Sequence, residues 1–261
     1  MALVVVLVTG GSGAVGHLVV RTLREHGHRA VVLSRQPGTG ADWRRGDLAS
    51  GEGLREAVVG VGAIVHAGSA TAEFTRTRAT DVEGTRRLLE AARLEGVGHL
   101  VYISIVGMEG VAYPYYRAKL AAEAIVRQGS VPWTILRTTQ FHTLMEFFLA
   151  AFSRLPGLMT VPFGWRFQPV DPSEVATRLA EVATGAPAGL LPDFGGPEVR
   201  DFRSLAESWR RARGVRKGLV NLPLPFRFSR QFAAGRLLCP DHRNGQITFE
   251  HYLARKYPVL S

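Results

Sequence analysis

Tyr115 and Lys119 stand four residues apart in the run Tyr115-Tyr116-Arg117-Ala118-Lys119, a spacing that sets both side chains on one face of a helix. A free phenol titrates near about 10, and an ammonium held beside it lowers that value, turning the phenol into a usable proton donor. Tyr116, three residues before Lys119, is the rival for the same task. Upstream, Thr9-Gly10-Gly11-Ser12-Gly13-Ala14-Val15-Gly16 carries glycines at the positions a strand-to-helix turn needs to cradle a diphosphate. Gly10 permits the tight turn, Gly13 lets the backbone approach the anion, and Gly16 lets the helix pack on the strand, while unpaired amides at the helix start face the charge. Thr9, Ala14 and Val15 complete that wall, and Ser12 either adds a hydroxyl or serves the turn alone.

Such residues need elements to hold them, and the chain alternates strand and helix patterns. Leu3 to Thr9 is a continuous β-branched apolar run, the mark of a strand buried on both faces. A helical pattern covers Ala14 to His26. Further strands are expected at Ala30–Ser34, near Gly62–Ala67, and at Leu100–Ser104 and Trp133–Arg137. Helices are expected near Thr80–Leu94 and over Tyr115–Arg127. Alternation of this kind builds a parallel sheet covered by helices through right-handed crossovers. The glycine turn therefore lies at the first strand-to-helix junction, where a dinucleotide binds.

At the end of the second strand, an NAD site calls for an acidic residue to hold the ribose 2′-hydroxyl. Ser34-Arg35 stands there instead. A guanidinium pairs bidentately with a 2′-phosphate and stacks on adenine, so NADP(H) is expected over NAD(H), the competing reading being a solvent-facing arginine. An oxidised nicotinamide would add a second positive charge beside Tyr115.

The 261-residue chain carries 46% hydrophobic and 21% charged residues, enough to bury a sizeable core and to exclude disorder. The single cysteine, Cys239, cannot form an internal disulfide, and the apolar start is too short to cross a bilayer. A cytoplasmic protein without membrane contact is expected. The formal charge is +10, and residues 200–261 hold thirteen Lys/Arg against four Asp/Glu. With no nucleic-acid-binding signature beside it, that excess reads as a solvated basic face, the alternative being a surface for an anionic substrate or an acidic partner. No His, Cys, Asp or Glu cluster has metal-ligand spacing, so no metal is expected. After about residue 140 the alternation gives way to Phe- and Pro-containing segments. Residues 1–140 are read as the dinucleotide-binding core and 141–261 as a mixed region, a cap plus sheet elements returning near 166–195, with one strand near Gly189–Asp193 after a helix opened by Asp171-Pro172-Ser173-Glu174.

Taken together, Thr9-Gly10-x-x-Gly13-x-x-Gly16, Gly46-Asp47-Leu48, Val65-His66-Ala67-Gly68, Asp81-Val82-Glu83-Gly84-Thr85, Ser104-x-x-Gly107 and Tyr115-x-x-x-Lys119 resemble the short-chain dehydrogenase/reductase superfamily over about residues 3–180. Leu136-Arg137 and Phe167-Gln168-Pro169-Val170-Asp171 look most like its atypical, NmrA-like NAD(P)-binding branch. The resemblance implies an α/β fold, a Rossmann-like doubly wound parallel sheet with a small C-terminal substrate-binding cap. It implies Tyr115 as general acid, Lys119 holding the nicotinamide ribose, and Ser104 bonding the reacting oxygen, unless Ser104 is only a strand-end residue. It also places Asp47 and Leu48 at adenine, Ala67 and Gly68 along the cofactor, and Thr138 and Thr139 near the nicotinamide. Asp81 stands where many relatives carry asparagine and Ile105 where many carry a second hydroxyl.

Phe141, His142 and Trp165 are candidates to meet substrate, against the plainer reading of an aromatic core. His66 is expected to support the sheet. The resulting expectation is an NADPH-dependent oxidoreductase, monomeric or homodimeric, delivering hydride to a carbonyl or conjugated double bond of a small, apolar molecule. The alternatives are an NADP(H)-sensing NmrA-like regulator without turnover and a sugar-nucleotide epimerase.

Overall fold

The computed structural model describes residues 3–36, 38, 40–70 and 77–258. The chain forms two compact units, and neither is a continuous stretch: the first comprises Met1–Ser104, Tyr113–Arg137 and Val175–Pro192, the second Ile105–Ala112, Thr138–Glu174 and Asp193–Ser261. The division is interleaved, the first unit taking Val175–Pro192 from the region after residue 140.

In the first unit, β1 (Val5–Thr9) is followed by α1 (Gly16–Glu25), β2 (Arg29–Ser34), β3 (Trp43–Arg45), α2 (Leu54–Val58) and β4 (Ala63–His66). A short π-helical segment, Arg78–Glu83, then runs directly into α3 (Gly84–Leu94), ahead of β5 (His99–Ile105). The strands order as β3-β2-β1-β4-β5, continued by β6 (Trp133–Thr138) and β9 (Gly189–Leu190). The pairings of β1 with β2 and β4, and of β6 with β9, are parallel. The chain leaves β1 toward β2 and β3 and returns on its other side at β4, so the crevice for a ligand opens where β1 and β4 end.

Period-two alternation explains why β1 and β4 read as unbroken apolar runs. Leu7, Val31, Ile64, Leu100 and Ile135 share one core with Leu54, Leu88, Ala122 and Val126, while Val6, Val8, Val32 and Val65 are buried on the opposite side of the strands. Helix α4 (Pro114–Gln128) starts with proline in its first turn, where a missing amide costs nothing. Helix α6 (Pro172–Thr184) starts in the same way. Two elements escape the sequence patterns, β3 and α2. Trp43-Arg44-Arg45 is a polar edge strand and α2 is under two turns long, so neither displays a period.

The second unit pairs β7 (Leu158–Pro162) with β11 (Gly218–Leu222) in parallel and β8 (Arg166–Phe167) with β10 (Arg200–Asp201) in antiparallel fashion. Its helices are α5 (His142–Phe152), α7 (Phe202–Ala212), α8 (Arg227–Ala233) and α9 (Phe249–Lys256). Met145, Leu149, Trp165, Phe167, Phe202 and Trp209 form its core. Much of the basic excess is spent internally here. Arg200 bridges Glu198 and Glu250, Lys217 donates to the Ser153 and Leu155 carbonyls, Arg255 meets Asp171, and Lys256 meets Glu146. Among the described residues no helix is long and apolar enough to cross a membrane.

Candidate active site

The glycine turn lies between β1 and α1. Gly10 has φ +68°, a left-handed conformation that strains other residues, and a Cβ there would stand 2.8 Å from the Ala67 carbonyl oxygen and the Gly68 Cα. At Gly16 a Cβ would stand 2.1 Å from the Gly10 carbonyl oxygen, so only glycine lets α1 start this close to the turn. Gly13 differs. Its added Cβ would meet only the Gly10 oxygen, at 3.1 Å, and Ser12, Gly13 and Ala14 are exposed. With Val15 capping α1 and no side chain satisfying its first amides, this exposed edge fits a pyrophosphate.

At the end of β4 a buried network fixes the neighbouring wall. The Thr85 hydroxyl donates to the Asp81 carbonyl, so it accepts from His66 Nε2–H at 2.9 Å. His66 Nδ1 is then an acceptor for the Thr9 hydroxyl at 2.7 Å, and Thr9 accepts in turn from the Gly68 amide at 2.9 Å. Burial, aided by Lys119, pushes the His66 pKa down to about 3, so this ring is a neutral strut joining β1, β4 and α3.

Ala67 and Gly68 lead to Ser69, whose hydroxyl donates to the Asp81 carboxylate. Tyr115, near the start of α4, lies 3.2 Å from the same Ser69 oxygen. Burial raises the Tyr115 phenol to about 12, Asp81 and Tyr113 adding to the rise and the Ser69 hydrogen bond opposing it. Lys119 lies one turn further along α4. Its Nζ donates to the Ile103 carbonyl at 2.8 Å and lies 4.1 Å from the Tyr102 ring centroid. Burial draws its pKa down to about 8 against the pull of Asp81 and Glu123. Tyr116 is buried, edge-on to Tyr113 at 5.3 Å, and burial raises its phenol further than that of Tyr115.

Ser104 lies near the end of β5. It shares β5 alternation with Leu100 and Tyr102, it is 2% exposed, and its buried hydroxyl has no hydrogen-bond partner. It acts instead on Glu123 of α4, one of the groups holding that carboxyl low. The hydroxyl brought to Tyr115 is that of Ser69, which the residue patterns did not single out. Its only signal was a hydroxyl directly after Val65-His66-Ala67-Gly68.

Although burial favours its neutral form, Glu123 is held below the usual range by Arg137, Ser104 and Arg127, with Arg137 bidentate at 2.9 and 2.8 Å. A depressed carboxyl contributes stability above its unfolded value near about 4.5, and the contribution is lost as pH falls through the folded value. The melting temperature should therefore drop on acidification below about pH 4.5, and Glu123→Gln should be less stable at neutral pH and show a shallower acid loss. Parallel melting curves for the two proteins would sink that assignment.

Beyond β2 and β3 opens a cavity of about 550 Å³ whose lining includes Arg35, Arg45, Gly46, Asp47 and Glu52. Arg35 is exposed, and the Ser34 hydroxyl accepts from the Gln36 amide at 3.1 Å. Arg44 is committed to the Ala57 and Val59 carbonyls, both at 2.7 Å. Asp47 turns back to the Ala49 amide. Leu48 packs where a Cβ at Gly68 or Gly84 would intrude.

The remaining candidates belong to the second unit. Thr138 and Thr139 are buried, and the Thr139 hydroxyl accepts from the Gly196 amide at 3.1 Å. Phe141 is half-buried at the start of α5. His142 is fully buried against Phe249 and Tyr252, with Nε2 bonded to the Ile247 carbonyl at 3.0 Å. Trp165, 5% exposed, donates to Ser229 at 2.8 Å inside the aromatic core. His142 and Trp165 are thus placed as core residues, His142 Nε2 and Trp165 Nε1 directed at protein partners while His142 Nδ1 is buried without one. Among the described residues no group of three His, Cys, Asp or Glu could hold a metal.

A family model described as NAD(P)H-binding matches residues 10–143. The chain is 36% identical over 107 residues to a 2-alkyl-3-oxoalkanoate reductase of Stenotrophomonas maltophilia, covering 38% of this chain and 32% of that protein. It is 29% identical over 221 residues to a (4-alkanoyl-5-oxo-2,5-dihydrofuran-3-yl)methyl phosphate reductase of Streptomyces griseus, covering 80% and 74%. It therefore spans about a third of the first relative's length. Among solved structures, a short-chain dehydrogenase/reductase superfamily protein of Agrobacterium tumefaciens with bound NAD superposes with a TM-score of 0.72 at 25% identity, covering 96% of this chain and 95% of that one.

Proposed function

Because the chain belongs to the NAD(P)H-binding family, we propose that it is an NADPH-dependent oxidoreductase of short-chain dehydrogenase/reductase type, in the NmrA-like branch, reducing a carbonyl or conjugated double bond of a small, apolar molecule. The observation that carries this reading is the placement of the Tyr115 hydroxyl beside Ser69, three residues past the end of β4 and so at the sheet end that also presents the glycine turn. A pure sensor has no need of a protonated phenol there.

When bound, the reduced nicotinamide supplies the hydride. The backbone of Gly10–Gly16 would receive the pyrophosphate, and Lys119 would hold the nicotinamide ribose with the Nζ protons not given to Ile103. Tyr115 holds its proton at neutral pH and passes it to the substrate oxygen as charge develops there. The two reductases aligned above are named for oxo compounds that carry alkyl or alkanoyl groups together with a carboxylate or a phosphate, in keeping with the carbonyl part of this reading. Incubating the protein with NADPH and a panel of ketones, aldehydes and enones, and following loss of the reduced-nicotinamide absorbance, tests the reading. Tight NADPH binding with no oxidation across the panel would favour the sensor.

Cofactor choice follows from Arg35. Its exposed guanidinium borders the cavity beyond β2, where no carboxylate occupies the strand end. NADPH should bind at least about tenfold tighter than NADH, some 1.4 kcal/mol, and Arg35→Ala should erase most of the difference. Equal affinities in the unmutated protein, read by calorimetry, would refute the preference.

A further inference from the structure

Ser69 carries one proton and two lone pairs, and the structure commits them in order. A carboxylate only accepts, so the serine proton points to Asp81, and the Ser69 oxygen is left to accept from the Tyr115 hydroxyl at 3.2 Å. The other Asp81 oxygen accepts from the Ala70 amide at 3.0 Å. Asp81 is 2% exposed and lies in the π-helical segment before α3, a local widening of the helix that recurs at functional positions.

We propose that Ser69 and Asp81 form a hydrogen-bond switch behind Tyr115: Ser69 accepts from the phenol while its proton is in place and turns to donate to the phenolate once that proton has left, and Asp81 holds the serine within reach. Both are positioning residues, and the inference rests on the oxidoreductase reading. In the reaction, the phenol O–H bond breaks as its proton goes to the substrate oxygen and hydride from the reduced nicotinamide reaches the substrate carbon. The switch itself breaks no bond. The Ser69 O–H rotates from Asp81 to the phenolate about a fixed oxygen, Asp81 keeps the Ala70 amide, and the phenol regains its proton from water.

The two partners act oppositely on the phenol. Asp81, a buried negative charge, opposes a second one on Tyr115, and Ser69 stabilises it by donation. Among the described residues, the other groups facing this region are Tyr113, Tyr116 and Lys119 from the α4 side, Tyr102 from β5 and neutral His66 from β4. Only Lys119 among them is cationic, and its ammonium is directed at the Ile103 carbonyl. The arrangement therefore keeps Tyr115 protonated at rest, and donation from Ser69 offsets part of the cost of the phenolate left once the proton has gone.

The test places 2,3,5-trifluorotyrosine, a much more acidic phenol, at position 115 of the full chain, and follows its titration by fluorine NMR without substrate. Asp81→Asn should lower the midpoint by about one pH unit, Ser69→Ala should raise it, and Ser69→Thr should restore it. Equal midpoints in all four proteins would overturn the proposal. If Asp81→Asn fails to fold, the alanine and threonine variants decide: a rise reversed by threonine supports the switch and an unchanged midpoint removes it. Because the readout needs no turnover, the stated shifts in a protein that reduces nothing would uphold the switch and count against the oxidoreductase reading alone.

Discussion

Tyr115→Phe should lower turnover by roughly 10² or more while leaving NADPH affinity nearly unchanged. The substitution removes only the hydroxyl whose proton is to be donated, and the ring stays against Tyr116, its centroid 5.9 Å away. Tyr116→Phe should be mild, because that phenol is buried among tyrosines and is the harder of the two to ionise. Lys119→Ala should damage both affinity and turnover, since its removal leaves the Ile103 carbonyl unpaired and the nicotinamide ribose without its ammonium. The pH profile separates the roles further. A phenol near 12 stays protonated through the neutral range, so Tyr115 adds no inflection there, whereas Lys119 loses its charge as pH rises through about 8. The profile of kcat/KM, which reports free-enzyme groups, should fall above that value and flatten in Lys119→Arg. A fully active Tyr115→Phe enzyme would end the assignment of the proton donor.

Gly13→Val should reduce NADPH affinity by about a hundredfold or more, some 2.7 kcal/mol, with a melting temperature close to that of the unmutated protein. The branched side chain occupies the exposed edge meant for the pyrophosphate, yet meets only the Gly10 carbonyl. Gly16→Ala makes the contrasting case. Its methyl would stand 2.1 Å from the Gly10 oxygen, so the turn must open, and overpacking of this kind costs about 1–3 kcal/mol. Binding and melting temperature should fall together. NADPH that still raises the melting temperature of Gly13→Val in full would place the phosphates elsewhere.

The first unit was legible because its information is periodic. Val5–Thr9, Ala63–His66 and the Tyr115–Arg127 pattern each carry a period tied to one geometry, and Gly10, Gly13 and Gly16 mark the junction where it changes. The strand expected near Gly189 pairs with β6. The second unit was less legible, because β8, β9 and β10 are two-residue strands, too short for any period, and its aromatic residues serve core packing that spacing does not distinguish from a pocket. The site shows the same limit. Lys119 lies on α4 as expected, but which hydroxyl reaches Tyr115 depends on side-chain direction at two strand ends. Ser104 shares the side of Tyr102 on β5 and meets Glu123, while Ser69, just beyond β4, reaches the phenol. Four residues of spacing could place Tyr115 and Lys119 on one helix. They could not reveal that the ammonium would turn to Ile103.

The interleaving of the two units bears on how the protein can be made. During synthesis the nascent chain completes β6 by residue 138, yet the strand that pairs with its outer edge, β9, emerges only with Gly189–Leu190. A ribosome-bound intermediate therefore displays an open parallel sheet edge, the kind that recruits other chains. A fragment stopped at residue 140 would retain that edge permanently and lack α6 as well. For the same reason the region after 140 cannot be exchanged between relatives as one cassette. A graft that swaps it also swaps the last strand of the cofactor sheet.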